Sequence, residues 1–171
     1  MKKVVKFGGS SLADAKQFMK VGDIIRADEN RVFVVPSAPG KRNSKDTKVT
    51  DMLIKTYEDA KAGKDVSENL VAIKARYDEI IDGLNLKGFS LEDDFKKIAE
   101  DIKADLSLDY LASRGEFLNG KIMAEDLGYD FIDAKDVIFF NEEGHLNSYK
   151  TMKVLGQALE EHPHSVIPGF Y

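Results

Sequence analysis

The chain contains no cysteine. That excludes disulfides, thiol nucleophiles and cysteine-based zinc sites, and it is compatible with a reducing cytosol. No apolar run approaches the roughly 20 residues needed to cross a bilayer, and the start lacks the apolar core of a signal peptide. The reading is a cytoplasmic protein with no membrane partner. Excess positive charge is also missing: the net charge is -5 over 171 residues. General attraction to nucleic acid is therefore not expected, and any site for an anionic substrate must be locally basic against the overall field. His162 and His164 flank Pro163 at a spacing that suits no helical metal site, so they read as surface residues and no metal ligand is assigned. No internal repeat or low-complexity tract is found. What remains, 43% hydrophobic and 32% charged, is ordinary for a soluble globular protein and long enough for one sizeable core.

The stretch Lys3-Lys-Val-Val-Lys-Phe-Gly-Gly-Ser-Ser-Leu-Ala-Asp14 organises the rest. Val4, Val5 and Phe7 suit a short buried strand, and Gly8-Gly9 let the backbone turn and approach a ligand without a Cβ in the way. Ser10 or Ser11 is expected to cap a helix that opens there, whose first N–H groups would face an anion. Lys6 stands at the carboxyl end of the strand, where open α/β sheets bind their ligands, and is the nearest full positive charge. The alternative is an ordinary strand-to-helix turn with a solvated lysine.

Leu12 to Ile25 has near-helical periodicity in Ala15, Phe18, Met19, Val21 and Ile25, and Arg31 to Pro36 reads as a second buried strand. Strand, helix, strand is the βαβ unit of a parallel sheet, with a right-handed crossover. Ser37 to Thr50 is then a second loop at the same sheet edge, with a turn signal at Pro39-Gly40 and a basic run from Lys41 to Lys48. The run reads either as a solvated face or as a mobile lid that brings cations towards phosphate. Asp51 to Ala62 is expected to be a short helix ending at Gly63.

Two amphipathic helices are expected between Asp65 and Leu106. Asp65-Val-Ser-Glu68 has the form of a capping box before the stripe Leu70, Ile73, Tyr77, Ile80, Ile81, and Ser90 is expected to cap the stripe Leu91, Phe95, Ile98, Ile102. A longer helix runs from Ser107 to Leu127, closed by Gly128, with Leu108, Leu111, Ala112, Leu118 and Ile122 as its buried stripe. Gly115 and Gly120 each cost about 1 kcal/mol there against Ala, so something must want the space. Gly115 to Lys121 has P-loop spacing, but Ile122 stands where magnesium needs a Ser or Thr and no strand precedes it, so that motif is rejected. Tyr129–Asp133 and Asp136–Phe140 read as short strands, Asn141 to Gly144 as a turn, Thr151 to Glu161 as a helix, and Ser165 to Ile167 as a last strand before the sharp turn Pro168-Gly169.

Val5-Lys6-Phe7-Gly8-Gly9-Ser10-Ser11 resembles the opening signature of the aspartate kinases in the amino-acid kinase family. Three later matches follow in the family's order: Val35-Pro36-Ser37-Ala38-Pro39-Gly40 with Thr50-Asp51, then Ser113-Arg114-Gly115-Glu116, then Val166-Ile167-Pro168-Gly169-Phe170. One departure is Ser10, where the family commonly has Thr. A larger one is that the family's nucleotide-binding half and its regulatory domains have no counterpart in these residues. The chain is thus expected to be an N-terminal amino-acid-binding lobe, an α/β three-layer αβα sandwich with a mainly parallel sheet.

The resemblance implies transfer of the ATP γ-phosphoryl group to the β-carboxylate of L-aspartate, a step of lysine, threonine and methionine biosynthesis, with ATP and Mg2+ as cofactors and a homo-oligomeric full-length protein. It assigns the phosphoryl group to Lys6, Gly8, Gly9 and Ser10, with Lys6 catalytic. Ser37 and Thr50 would line the amino-acid pocket, Glu116 would meet the substrate α-ammonium, and the Pro-Gly-Phe turn would lie nearby. These residues alone are expected to be inactive. Two alternatives are a non-catalytic half-domain that binds aspartate or another copy, and a kinase for another acyl substrate such as glutamate or acetylglutamate. The Ser-Arg-Gly-Glu motif and the long helical insert argue against the last.

Overall fold

The computed structural model describes residues 1–104 and 107–171. Its elements in chain order are β1 (Lys3–Phe7), a 3-10 turn (Gly9–Leu12), α1 (Ala15–Arg26), β2 (Arg31–Pro36), α2 (Val49–Lys61), α3 (Ser67–Gly83), α4 (Glu92–Lys103), α5 (Leu108–Leu127), β3 (Asp130–Phe131), α6 (Ala134–Val137), α7 (Ser148–Glu161) and β4 (Ser165–Val166). The four strands form one parallel sheet in the order β1-β2-β4-β3. Stepping from β1 to β2 to β3 in one direction and back to β4 puts α1 and α5 on one face and α7 on the other when crossovers are right-handed. That is a three-layer αβα arrangement.

Register explains the burial pattern. Val5, Val34, Val166 and Phe131 lie side by side across the sheet, and this apolar row packs with Phe18, Leu53, Tyr77, Leu118 and Ile122 in the main core. The neighbouring row, Val4, Phe33, Ser165 and Asp130, points to the other face because successive strand residues alternate. Strand β1 is not the buried strand its composition suggests: Val4 is 68% exposed, since β1 stands at the sheet edge and Val4 belongs to the second row.

Several expected helix starts are corrected by local hydrogen bonding. The residues Gly9–Leu12 form a 3-10 turn without a side-chain cap, and α1 starts only at Ala15, where the Asp14 carboxylate accepts from the Gln17 amide. Asp65 accepts from the amide and hydroxyl of Ser67 and so forms a local turn rather than a capping box. Ser90 accepts from the Glu92 amide at the start of α4. That helix ends at Lys103, and Asp105 and Leu106, where the sequence reading carried it, lie outside the described residues. The expected strand Asp136–Phe140 is instead entered by the short helix α6, because Asp133 accepts from the Lys135 amide and starts a helical turn.

The predicted limits of α5 agree closely with the structure: Ser107 caps it through the Tyr110 amide and Gly128 closes it at φ 68°. Both interior glycines have a packing reason. A Cβ on Gly115 would lie 2.9 Å from the Ala38 side chain, and one on Gly120 would lie 3.0 Å from the Phe131 ring. Leu108, placed by periodicity in the buried stripe, is 38% exposed in the first turn. The Gly115–Lys121 segment is helical throughout, so it cannot wrap a phosphate as a loop.

Candidate functional site

Parallel strands carry their following loops to one edge, and here three loops meet at the carboxyl ends of β1, β2 and β4. The ladder between β1 and β2 continues beyond the strands: the Ser37 amide donates to the Phe7 carbonyl at 2.9 Å, and the Gly40 amide to the Gly9 carbonyl at 2.8 Å. The two loops touch backbone to backbone. A Cβ on Gly9 would lie 2.8 Å from the Ala38 carbonyl oxygen, and one on Gly40 would lie 2.6 Å from the Gly9 carbonyl carbon. No other residue type fits either position without moving the loop. Around Gly8, by contrast, a Cβ would meet nothing of the described protein within 4 Å, which leaves its backbone approachable from solvent.

Between the loops lies a cavity of about 520 Å3, lined among others by Gly9, Ser10, Ser37, Lys41, Lys48 and Thr50. It therefore gathers four of the residues singled out in the sequence. Lys6, Gly8 and Glu116 are not in its lining, and each approaches the region differently. Glu116 projects from α5 and accepts from the Ser37 hydroxyl at 3.1 Å. Its carboxyl is pushed above its ordinary value, first by burial; the Ser37 hydroxyl, the Gly169 and Phe170 amides and the charge of Lys6 act to hold it down. Those opposing contributions also locate it: the backbone of the Pro-Gly-Phe turn after β4 faces Glu116, and Lys6 is near enough to be felt. Gly169 belongs there sterically, because a Cβ on it would lie 3.2 Å from a Glu116 carboxylate oxygen.

The helix expected to open at Ser10 or Ser11 is replaced here by a short turn. The turn Gly9–Leu12 is a single 3-10 turn whose first bond runs from the Ser11 amide to the Gly8 carbonyl. The Gly9 and Ser10 amides precede that bond and have no carbonyl of the turn to donate to. The longer helix at this site is α2. It begins at Val49 behind Lys48, with no side-chain cap, and Lys48, Thr50 and Asp51 line the cavity at that end. An uncapped helix N-terminus presents backbone donors and the positive end of the dipole.

The basic run does not act as one lid. Arg42 is turned away into ion pairs with Asp46 and with Glu79 of α3, whereas Lys41 and Lys48 stand at the cavity. Sequence reasoning treated the run as a unit and could not divide it, because the division depends on α3, more than 20 residues further on in the chain. It also missed Asn119. This fully buried side chain donates from Nδ2 to the Ser37 carbonyl at 2.6 Å. Its position one helical turn after Glu116 is the signal that was available. Ser113 faces elsewhere, donating to the Tyr110 carbonyl within α5.

Among the described residues no helix is long and apolar enough to cross a membrane. His162 sits by Asp130 at 3.0 Å and the His164 ring rests on Tyr129.

Comparison with known proteins places this geometry. The model of the amino acid kinase family matches residues 1–171. Aspartokinase 3 of Bacillus subtilis (strain 168) is 36% identical over 182 residues, covering 99% of this chain and 40% of that protein. The crystal structure of Clostridium acetobutylicum aspartate kinase superposes with a TM-score of 0.94 at 44% identity, covering 100% of this chain and 39% of that one. The structure of E. coli aspartokinase III in complex with aspartate and ADP has a TM-score of 0.76 at 22% identity, over 99% of this chain and 40% of that one. At that identity the likeness is one of fold. The chain thus spans about 40% of the length of these relatives.

Proposed function

This chain belongs to the amino acid kinase family, and from that premise we propose that it forms the amino-acid-binding lobe of an aspartate kinase. The reaction is transfer of the γ-phosphoryl group of ATP to the β-carboxylate of L-aspartate. A carboxylate oxygen attacks the γ-phosphorus, the bond from that phosphorus to the β,γ-bridging oxygen breaks, and ADP leaves with the electron pair. Aspartate is ionised at neutral pH, so the nucleophile needs no general base. What the protein must supply is position and positive charge.

The observation that carries this reading is the Ser37–Glu116 pair at the sheet edge, with Lys6, the Gly9–Ser10 turn and the start of α2 around it. Glu116 takes the α-ammonium, and the Ser37 and Thr50 hydroxyls with the uncapped α2 terminus take the α-carboxylate. The β-carboxylate then points to the turn, where Lys6 and the Gly8, Gly9 and Ser10 amides meet the charge that develops on the phosphoryl group. Mg2+ would arrive on the nucleotide phosphates. Among the described residues no cluster of three or more His, Asp or Glu side chains could hold a metal by itself, and no step is assigned to it.

A cytoplasmic location, a role in lysine, threonine and methionine biosynthesis, and a homo-oligomeric full-length enzyme belong to the same proposal. The 171-residue chain by itself is proposed to bind aspartate without turnover, since it spans about 40% of the relatives' length. Two measurements test this. Titration calorimetry should show the chain binding L-aspartate, and no ADP or hydroxamate-trappable aspartyl phosphate should form with Mg-ATP. In a chain extended to its relatives' length, aspartyl phosphate should form, and Lys6→Ala should lower kcat about 10²–10³-fold. Unchanged kcat would reduce Lys6 to a surface lysine.

A further inference from the structure

The two loops that build the site are joined a second time, from below, by a residue that no motif contains. Arg76 lies in α3 and is 5% exposed. One terminal nitrogen, Nη2, donates to the Gly40 carbonyl at 2.9 Å and reaches the Ala13 carbonyl at 3.5 Å; the other, Nη1, donates to the Thr47 carbonyl at 3.0 Å and lies 3.2 Å from the Asp46 carboxylate. Ala13 directly follows the glycine turn, Gly40 is the residue locked against Gly9, and Thr47 precedes α2. A single guanidinium therefore holds the exit of the glycine turn and both sides of the second loop. We propose that Arg76 is a positioning residue which fixes the glycine turn and the Ser37–Thr50 loop at one separation, so that phosphoryl group and amino acid are presented to each other in register.

The chemistry explains why the residue is arginine. Burying a cation is costly unless it is paired and hydrogen-bonded; here both terminal nitrogens are matched, and Nε is buried without a partner. The rigid planar fork supplies several divergent donors at once, whereas a lysine ammonium is a point charge that cannot span carbonyls from separate segments. A simple ion pair would need only Asp46, and Asp46 is already served by Arg42. Three of the Arg76 partners are main-chain carbonyls, which carry no information except where the backbone lies. Arg76 touches neither the cavity of the turn nor Glu116, so it acts through loop geometry. A misplacement of about 1 Å at a reacting centre can cost on the order of 10²-fold in rate.

The role rests on the functional reading above, and two independent readouts keep their failures apart. The first needs no activity. In the 171-residue chain, amide hydrogen exchange at Gly40, which donates to Gly9, and at Val49, which donates to Pro39, should quicken at least tenfold in Arg76→Lys. Exchange at Leu118 and Ile122 in α5 should stay as in wild type. A residue that only supports the fold would change both sets together, and that result, or no change at all, overturns the proposal. Asp46→Asn is the second variant: it removes the counter-charge and leaves the carbonyl bonds, so exchange at Gly40 should be nearly unaltered. If it matches Arg76→Lys, the arginine is a counter-ion and the proposal fails. The second readout is kinetic, in the extended chain: Arg76→Lys should lower kcat about 10- to 100-fold while the aspartate KM moves less. Local loosening with wild-type kcat would overturn the positioning role. If wild type itself forms no aspartyl phosphate, the functional reading is what fails, and the exchange data still decide whether Arg76 sets the loop separation.

Discussion

Helices α5 and α7 are both regular, yet the molecule uses them in opposite ways. In α5, buried residues occur on every side, from Leu111 and Ala112 through Asn119 to Met123 and Ala124, and two glycines bring its backbone against Ala38 and Phe131. In α7, only Thr151 is buried, while Tyr149 is 81% and Met152 is 75% exposed. Tight packing falls where precision is needed. Glu116 must meet the Ser37 hydroxyl within hydrogen-bond distance, and a helix that could slide would lose that pair. Nothing of the site projects from α7, so its looser packing costs the site nothing.

Truncating the same side chain in each helix should have the largest and most unequal effects. Leu118→Ala removes a fully buried side chain of the main core and should cost about 2–5 kcal/mol in urea unfolding. Leu155→Ala, from the half-buried side of α7, should cost clearly less. Equal losses would mean that α7 is as firmly built in as α5.

Next in size is the charge that α5 delivers. In the extended chain, Glu116→Gln should raise the aspartate KM about 10- to 150-fold, the worth of one charged hydrogen bond of roughly 1.5–3 kcal/mol, and leave the ATP KM nearly unchanged. An aspartate analogue without its α-amino group should be discriminated against strongly by wild type and much less by the variant. Equal discrimination would remove the α-ammonium from Glu116.

Stability should move the other way. Because burial holds the Glu116 carboxyl above its ordinary value, the folded state keeps this proton to higher pH than the unfolded chain does. Ionising it therefore costs stability: the cost is absent below the unfolded value and complete once pH has risen past the folded one. Glu116→Gln should accordingly unfold no sooner than wild type at neutral pH, and aspartate affinity should fall in wild type as pH is lowered through the raised value. A variant that melts earlier at neutral pH would contradict this account.

Gly115→Ala is a smaller perturbation with two opposed parts. Alanine favours the helix by about 1 kcal/mol, while its Cβ would press on Ala38 and lie 3.2 Å from Leu53, an overpacking cost of roughly 1–3 kcal/mol. A net loss of stability is expected, with weaker aspartate binding because Ala38 follows Ser37. At the low end, Tyr149→Ser and Met152→Lys in α7 should each change stability by no more than about 0.5 kcal/mol. A larger loss in thermal unfolding would show that this face is covered in solution.

Much of the frame could be read in the sequence because its signals are local. The cap at Ser107 and the left-handed Gly128 bound α5 within the sequence window that defines them, and the Val-rich strands beside glycine turns imply a parallel sheet. What escaped was non-local or competitive. The exposure of Val4 depends on which strand lies at the edge, and β4 enters the middle of the sheet from far along the chain. Asp14 outcompeted Ser10 and Ser11 as a cap because the glycines tighten the intervening residues into a 3-10 turn. At the candidate site, Ser10, Ser37 and Thr50 could be marked by motif, and the structure puts them around one cavity. Asn119 was marked only by its spacing from Glu116, and Arg76 not at all, since it is defined by the carbonyls it reaches, and a carbonyl leaves no trace in residue identity.

The place of β4 also sets an order in time. Its residues, Ser165 and Val166, come after every other strand among the described residues, yet they fill the gap between β2 and β3. A nascent chain emerging from its N-terminus can pair β1 with β2 early, but β3 has no neighbour until β4 arrives. The Gly169 and Phe170 amides that face Glu116 arrive later still. Such distant pairing is slow to form and leaves apolar strands uncovered meanwhile. During synthesis the glycine turn and the second loop are therefore made long before the turn after β4 can reach Glu116, and that turn acts as the latch.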